Sequence, residues 1–118
     1  MKTLVLGAST NPDRYSFKAI EKLKEKQYSI SAVGFRKGVV HGEPIDTALD
    51  LTQKIDTVSL YLGPQRQEAY YEQIISLNPR RVIFNPGTEN AFFEQQLREK
   101  GIEAERACTL VLLATNQY

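Results

Sequence analysis

The chain has 118 residues, of which 42% are hydrophobic and 25% are charged, a balance typical of one ordinary globular domain that spans residues 1–118. Fifteen basic and fourteen acidic residues give a net charge of +1, and this balance gives no sign of the strong basic patch expected of a protein that binds duplex nucleic acid. One cysteine excludes a disulfide framework, and no apolar run reaches the roughly 18 residues that span a membrane, so we expect a cytoplasmic protein.

The first predicted element is a strand at 2–7. Residues 4–6 form a continuous apolar run, which is typical of a strand buried on both faces of a parallel sheet and is too short for the hydrophobic region of a signal peptide. An amphipathic helix at 15–26 follows, because its apolar residues recur at helical spacing. A second strand is predicted at 29–34.

The middle of the chain is less regular. Residues 35–46 contain two glycines and a proline and are predicted to be mostly loop, with a short strand at 39–40 as the one candidate element. A short helix at 47–52 and a strand at 57–62 come next. Gly63 and Pro64 then begin a helix whose apolar positions continue to Leu77.

The last third alternates again between strands and helices. A strand is predicted at 81–85, and the Asn-Pro-Gly sequence that follows it is typical of a turn. A helix at 89–100 ends at a glycine, which is a common helix stop. A short strand at 102–105 and a closing helix at 108–114 complete the prediction.

This alternation predicts an α/β fold with a doubly wound, mainly parallel sheet of five or six strands and helices on both faces. In open sheets of this type, ligands bind beyond the carboxyl ends of the strands. Four glycine-containing loops are predicted to lie at that edge, namely 7–16, 34–38, 62–65 and 85–88. Ordinary turn formation would explain these glycines equally well.

The first of these loops has the composition of a phosphate-binding loop. Gly7 lets the backbone turn at the strand end, and the small residues Ala8 and Ser9 allow a ligand to approach closely. Free N–H groups at the start of the next helix favour an anion. Ser9 and Ser16 add hydroxyl donors, and Arg14 adds a guanidinium suited to phosphate oxygens. A plain polar turn, a serine helix cap and a solvated arginine would give the same sequence.

The loop after the second predicted strand indicates which nucleotide to expect. In NAD-binding folds, an acidic residue about 20 positions after the glycine motif contacts the ribose hydroxyls. Here Gly34 is followed by Arg36 and Lys37, and no acid occurs before Glu43. The pattern disfavours NAD and favours a ligand with an extra phosphate on its adenosine ribose, which is coenzyme A or, alternatively, NADP. Solvated surface charges are the other interpretation.

The string G-A-S-x-N-P-x-R-x-S at 7–16 resembles the small single-domain CoA-binding proteins that are related to the CoA-binding domain of succinyl-CoA synthetase. The resemblance covers nearly the whole chain, with D-x-V at 56–58, N-P-G at 85–87, and G-I followed by R-A-C within 101–108. The chain departs from the family at 34–35, where an Asn-Pro-like turn is usual. It also departs at position 85, where glutamine is frequent, and after the cysteine, where a glutamate is usual.

The resemblance implies a Rossmann-like fold that binds coenzyme A at the strand ends. It implies a pyrophosphate site formed by Gly7, Ala8, Ser9, Arg14 and Ser16. It places the adenosine ribose and its phosphate near Gly34, Arg36 and Lys37. It places the adenine or the middle of the cofactor near Leu62, Gly63 and Pro64. Asn85 and Gly87, in the fourth loop, are also predicted to bind the cofactor.

No catalytic or metal-binding set stands out in the sequence. His41 is the only histidine and has no partner at metal-ligand spacing, so it is interpreted as a surface residue. No serine lies in a G-x-S-x-G motif. Cys108 follows the last predicted strand, where it would be placed to form a mixed disulfide with the pantetheine thiol. The apolar residues at 110–113 favour an inert side chain instead.

The sequence therefore favours a non-catalytic CoA or acyl-CoA binding protein over an enzyme. The alternatives are a small NADP-dependent reductase and an interaction protein whose nucleotide site has decayed. The expected partner is a small-molecule nucleotide cofactor, with no nucleic acid and no membrane. A homodimer formed through Phe92 and Phe93 is one interpretation of those two aromatic residues, and helix packing is the other.

Overall fold

The computed structural model describes all residues 1–118 and contains one seven-stranded sheet with five α-helices. The strands are β1 (Lys2–Leu6), β2 (Ser29–Val33), β3 (Gly38–Val40), β4 (Glu43–Asp46), β5 (Thr57–Leu60), β6 (Arg81–Phe84) and β7 (Glu103–Arg106). The helices are α1 (Tyr15–Glu25), α2 (Pro64–Gln67), α3 (Tyr71–Leu77), α4 (Ala91–Glu99) and α5 (Thr109–Ala114), with a 3₁₀ turn at Glu68–Tyr70. None of the helices has the length and apolar character that crossing a bilayer requires.

The strand order in the sheet is β3-β4-β2-β1-β5-β6-β7, and every pair is parallel except the β3–β4 pair. The chain passes from β1 to β2 on one side, and it later returns to place β5 on the other side of β1. The direction of winding therefore reverses between β1 and β5, and the crevice at such a reversal is where open α/β sheets bind ligands. The predicted doubly wound α/β fold is confirmed.

Helices cover both faces of this sheet. Strand residues alternate between the faces, so that Leu4 and Leu6 belong to one hydrophobic core cluster and Val5 belongs to the other. The first cluster includes residues of α3 and α4, and the second includes residues of α1 and α5. The central strands β1, β5 and β6 are buried along almost their whole length. Their buried polar residues are hydrogen-bonded, since Arg81 donates to the Thr57 hydroxyl at 3.0 Å and the Ser59 hydroxyl lies 2.8 Å from that of Thr109.

The edge beyond β2 differs from the prediction, because residues 38–46 form a β-hairpin instead of a loop. Val40 pairs with Glu43 across a two-residue turn, in which His41 and Gly42 have φ angles of +48° and +83°. Two successive positive φ angles are the mark of a type I′ turn, whose twist matches that of the strands. The sheet consequently has seven strands where five or six were predicted. Pro44 inside β4 conceals this strand in the sequence.

One helix prediction was wrong, and a second was wrong in part. No helix forms at 47–52, where the Asp50 carboxylate accepts hydrogen bonds from the backbone N–H and the hydroxyl of Thr52 at 2.9 and 2.6 Å. This local turn competes with a helix for the same backbone groups. The helix that begins at Pro64 is interrupted near Tyr70, whose φ and ψ of −111° and −1° lie outside the regular helical range.

Candidate ligand-binding cleft

A cleft of about 650 Å³ opens at the carboxyl ends of the central strands. Its walls come from the loops after β1, β2, β5 and β6 and from the first turns of α1 and α2. The lining residues are Gly7, Ala8, Ser9, Thr10, Asn11, Arg14, Tyr15, Ser16, Phe35, Arg36, Tyr61, Leu62, Gly63, Gln65, Arg66, Pro86 and Thr88. A second pocket, at Tyr118 and the amino ends of the strands, has room for about 20 Å³ only.

Most of the residues predicted for the site line this cleft. Those that do are Gly7, Ala8, Ser9, Arg14, Ser16, Arg36, Leu62 and Gly63. Those that lie outside the lining are Gly34, Lys37, Pro64, Asn85 and Gly87. The first group comes from three different loops, so the sheet edge brings together residues that are more than 50 positions apart in the sequence.

Gly7 shapes the loop that follows β1. Its φ of +98° is a conformation that other residues rarely adopt, and a Cβ at this position would lie 3.1 Å from the carbonyl carbon of Tyr61. The N–H groups of Gly7 and Ala8 both donate to the carbonyl oxygen of Val33, at 2.8 and 2.9 Å. These two donors hold the loop against β2, and a ligand would instead meet the N–H groups at the start of α1.

The start of α1 leaves polar groups available in the cleft wall. Arg14 occupies the N-cap position and makes no side-chain capping bond. The Ser16 hydroxyl therefore does not cap the helix, and it has no hydrogen-bond partner within the protein although the residue is only 3% exposed. The preceding residues do form a polar turn, because Asn11 accepts hydrogen bonds from the N–H groups of Asp13 and Arg14 at 3.0 Å. A hydroxyl and unpaired helix N–H groups thus face the cleft together.

The charge of the cleft is positive. Arg14, Arg36 and Arg66 line it, and no aspartate or glutamate is among the lining residues. None of the three arginines forms an ion pair with an acidic residue elsewhere in the chain. Unpaired guanidinium groups in a concave surface attract phosphate, to which they can donate two parallel hydrogen bonds.

Arg66 is a cleft residue that the sequence pattern did not predict, because it lies on a helix. It is the third residue of α2, which begins directly after the loop at the end of β5. Its guanidinium carbon lies 4.7 Å from the centre of the Phe35 ring, which also lines the cleft. The signal that would have found it is position: the first turn of a helix that follows a central parallel strand lies at the ligand edge of the sheet.

Asn85, which was predicted for the site, has its side chain inside the protein and outside the cleft lining. This side chain is 2% exposed, and its amide oxygen accepts the N–H of Thr109 at 2.8 Å. Its amide nitrogen donates to the Ser59 hydroxyl at 3.0 Å and to the Leu60 carbonyl oxygen at 2.9 Å. The hydrogen-bonding groups of Asn85 are therefore engaged inside the protein, where they join β5, β6 and α5.

Gly34 also contributes by its backbone and not by lining the cleft. A Cβ at this position would lie 2.2 Å from the carbonyl oxygen of Ala8, so only glycine lets the loop after β1 cross the end of β2. Lys37, Pro64 and Gly87 are exposed residues beside the cleft.

Gln67 holds together two loops that line the cleft. This residue is fully buried, and its amide nitrogen donates to the carbonyl oxygens of Leu62 at 2.9 Å and Thr88 at 2.7 Å. Its amide oxygen accepts a hydrogen bond from Asn90 at 2.9 Å. One side chain thus ties the loop after β5 to the loop after β6, a role that a glutamine on a helix does not reveal in the sequence.

The Tyr61 side chain lines the cleft, and the Cys108 thiol lies close to it. Burial raises the pKa of Tyr61 to about 12, partly offset by hydrogen bonds with Ser59 and Thr109. Tyr61 is therefore neutral near pH 7 and offers a hydroxyl, not a charge. Cys108 is a half-buried free thiol at the start of α5 and does not line the cleft.

Solved structures share this architecture. A crystal structure of an uncharacterized protein is 45% identical over 99% of this chain and 97% of its own length, with a TM-score of 0.96. A Thermus thermophilus structure is 24% identical over 99% of this chain and 90% of its own, with a TM-score of 0.88. A dinucleotide-forming acetyl-coenzyme A synthetase from Ca. Korarchaeum cryptofilum is 12% identical, with a TM-score of 0.71 over 87% of this chain and 25% of its own.

No curated protein matches the sequence. The family of the CoA binding domain matches residues 1–114, which is almost the whole chain and includes every loop of the cleft. The glycine-led loop after β1 and the switch point between β1 and β5 agree with the fold that the family resemblance implied. The chain belongs to the CoA binding domain family.

Proposed function

We propose that residues 1–118 act as one non-catalytic domain that binds coenzyme A or an acyl-CoA in the cleft. The observation that carries this proposal is the set of three unpaired arginines, without any acidic residue, around a cleft at the switch point. Coenzyme A carries a pyrophosphate and a ribose 3′-phosphate, so several separated cations suit it. The cleft volume of about 650 Å³ lies within the range of small-molecule sites.

The proposed pyrophosphate site is the start of α1. There the Ser16 hydroxyl and the first N–H groups of the helix are unpaired, and Arg14 adds a charge. A helix N-terminus favours an anion through these donors and through its dipole. The ribose 3′-phosphate is proposed to lie near Arg36, with Lys37 adding a longer-range attraction.

A binding role is supported by the chemistry of the cleft. Its lining contains no histidine, cysteine or carboxylate that would act as a general base or nucleophile near neutral pH. The protein is proposed to act in the cytoplasm, since its one cysteine is unpaired. NADP shares the extra ribose phosphate with coenzyme A, so the experiment must separate the two ligands.

A thermal-shift titration with coenzyme A, 3′-dephospho-CoA, NADP and NAD tests the proposal. Ligand at about 100 times its Kd adds roughly 2.7 kcal/mol of stability, which raises Tm by several degrees in a protein of this size. Coenzyme A is expected to stabilise more than dephospho-CoA. Arg36→Ala should make the stabilisation by coenzyme A equal to that by dephospho-CoA. Arg14→Ala should reduce the stabilisation by both ligands.

Lys54→Ala is the matched control, because Lys54 is exposed, lies in the connection before β5 and makes no ion pair. It removes the same charge at the opposite edge of the sheet and should leave ligand affinity unchanged. Stabilisation by NADP alone would support the reductase alternative. No response to any of the four ligands would contradict nucleotide binding and support an interaction protein.

A further inference from the structure

Phe35 is a large apolar residue that the fold leaves exposed beside the cleft. It is 67% exposed and belongs to neither hydrophobic core cluster. A single exposed aromatic residue is common and needs no explanation by itself. Phe35 is different because it lines the cleft and because its ring has a defined partner there.

That partner is Arg66, whose guanidinium carbon lies 4.7 Å from the centre of the Phe35 ring. Phe35 follows β2, whereas Arg66 lies on α2 after β5, and β1 separates these two strands in the sheet. Because neighbouring strands are about 4.8 Å apart, the contact joins elements whose strands are about 10 Å apart. The pair therefore bridges the cleft above the end of β1.

The two side chains present the surfaces on which nucleobases stack. Single-stranded bases bind to aromatic rings and to arginine guanidinium planes, since both are flat and polarisable. Arg66 has no acidic partner, and the neighbour of Phe35 in the loop is Arg36. A ligand with a flat base next to a ribose phosphate would contact all three residues.

We infer that Phe35 and Arg66 form a base clamp for the adenine of coenzyme A, an inference that rests on the proposed function. The adenine ring stacks on Phe35, Arg66 covers it from the α2 side, and Arg36 faces the ribose 3′-phosphate. In the free protein, the guanidinium covers the face of Phe35 that the base occupies in the complex. The long, exposed Arg66 side chain moves outward by the thickness of the base when the ligand enters.

The clamp makes the adenine a recognised part of the ligand. Affinity for coenzyme A and for adenosine 3′,5′-bisphosphate should then depend on the aromatic ring at position 35. Affinity for 4′-phosphopantetheine, which lacks the adenosine, should not depend on it. This difference separates base stacking from a general effect on the shape of the cleft.

The test compares wild type, Phe35→Leu and Phe35→Trp by isothermal titration with coenzyme A, adenosine 3′,5′-bisphosphate and 4′-phosphopantetheine. Phe35→Leu is expected to lower the affinity for the two adenosine ligands by roughly 5- to 150-fold, the range that corresponds to the loss of one stacked base. Phe35→Trp should retain their affinity. The fluorescence of 1,N6-etheno-CoA should be quenched by wild type and Phe35→Trp and not by Phe35→Leu.

Val39→Ala is the control, because Val39 is 64% exposed on β3 and does not line the cleft. It should leave all affinities unchanged, and since Phe35 and Val39 lie outside the core, both variants should keep the wild-type circular dichroism spectrum. The clamp is refuted, while CoA binding stands, if Phe35→Leu binds every ligand with wild-type affinity. It is also refuted if Phe35→Leu loses as much affinity for 4′-phosphopantetheine as for the two adenosine ligands. If wild type binds no adenine nucleotide, the proposed function fails and the clamp fails with it.

Discussion

The carbonyl oxygen of Ala8 lies where a side chain at position 34 would begin. A Cβ on Gly34 would be 2.2 Å from this oxygen, far inside normal contact distance. The Gly34 N–H donates to the Asp46 carbonyl oxygen at 2.9 Å, which limits how far the residue can move away. A residue without a side chain thus allows the loop after β1 to take its position over the end of β2.

We therefore predict that Gly34→Ala lowers the free energy of unfolding by about 1–3 kcal/mol, as overpacking does. The substitution should also lower the affinity for coenzyme A, because the displaced loop contains Ser9 and leads to Arg14. Urea denaturation measures the first effect. Gly63→Ala is the matched control for stability and should keep the wild-type urea midpoint, since a Cβ there has open space and the φ of Gly63 is −63°. Equal urea midpoints for Gly34→Ala and wild type would contradict the prediction.

Sequence reasoning located some of the cleft residues and missed others for physical reasons. Arg14, Ser16 and Arg36 were predicted for the site because they lie just after the carboxyl ends of predicted strands, and the structure places all three in the lining. Asn85 follows a strand end in the same way, yet its side chain points to the α5 face with Ser59 and Thr109. Which face of a strand end meets the ligand depends on how helices pack, which a single sequence does not display.

At the scale of elements, α5 depends on its contacts with the sheet. It has six residues, which is too short for a helix that is stable on its own. In its first turn, the Thr109 N–H donates a hydrogen bond to the Asn85 amide oxygen. Leu113 is buried in the second core cluster. The Thr109 hydroxyl also lies 2.8 Å from that of Ser59. One apolar contact and one buried polar network therefore hold α5 in place.

Asn85→Ala should release this helix. The change leaves the Thr109 N–H and the Leu60 carbonyl oxygen without the amide partner, and each unpaired buried group costs about 1–3 kcal/mol. We expect the free energy of unfolding to fall by about 3 kcal/mol and the α5 amides to exchange hydrogen faster than the loss of global stability alone explains. Gln95→Ala, at an exposed amide on α4, should change neither. Uniform loss of protection in α1 and α5 would argue against a local role.

Element prediction succeeded where local signals were strong. The apolar run of β1, the periodic pattern of α1 and the glycine after α4 gave boundaries within about two residues of those in the structure. The hairpin of β3 and β4 was missed because its strands have three and four residues. Their formation depends on pairing with β2 and on the turn at His41 and Gly42, not on the local hydrophobic pattern.

At the scale of the whole molecule, charge is distributed unevenly over an almost neutral chain. The net charge is +1, although the cleft alone contains three arginines and no acid. The rest of the surface therefore has a net negative charge. A concave positive region on such a molecule attracts an anionic ligand to one place, and this attraction should weaken as salt rises.

Two partly buried tyrosines, Tyr61 and Tyr118, make the stability of the molecule depend on alkaline pH. Burial raises the pKa of Tyr61 to about 12, and it raises the pKa of Tyr118 as well. Both groups therefore hold their protons more tightly in the folded state than at the ordinary value of 10.0. Their contribution to stability is complete below pH 10 and is lost as the pH rises through the raised values.

Tyr61→Phe removes one of these groups and should flatten the pH dependence. For a pKa of about 12 against 10, linkage predicts that wild type loses roughly 1 kcal/mol more than Tyr61→Phe between pH 9 and pH 11. Urea unfolding at pH 9 and pH 11 gives the change in the free energy of unfolding for each protein. The hydrogen bonds that the variant loses lower its stability at both pH values, so their effect cancels from this change. Tyr15→Phe, at a tyrosine that is 68% exposed, should follow wild type. Parallel curves for wild type and Tyr61→Phe would contradict the prediction and show that the Tyr61 hydroxyl is solvated in the folded protein.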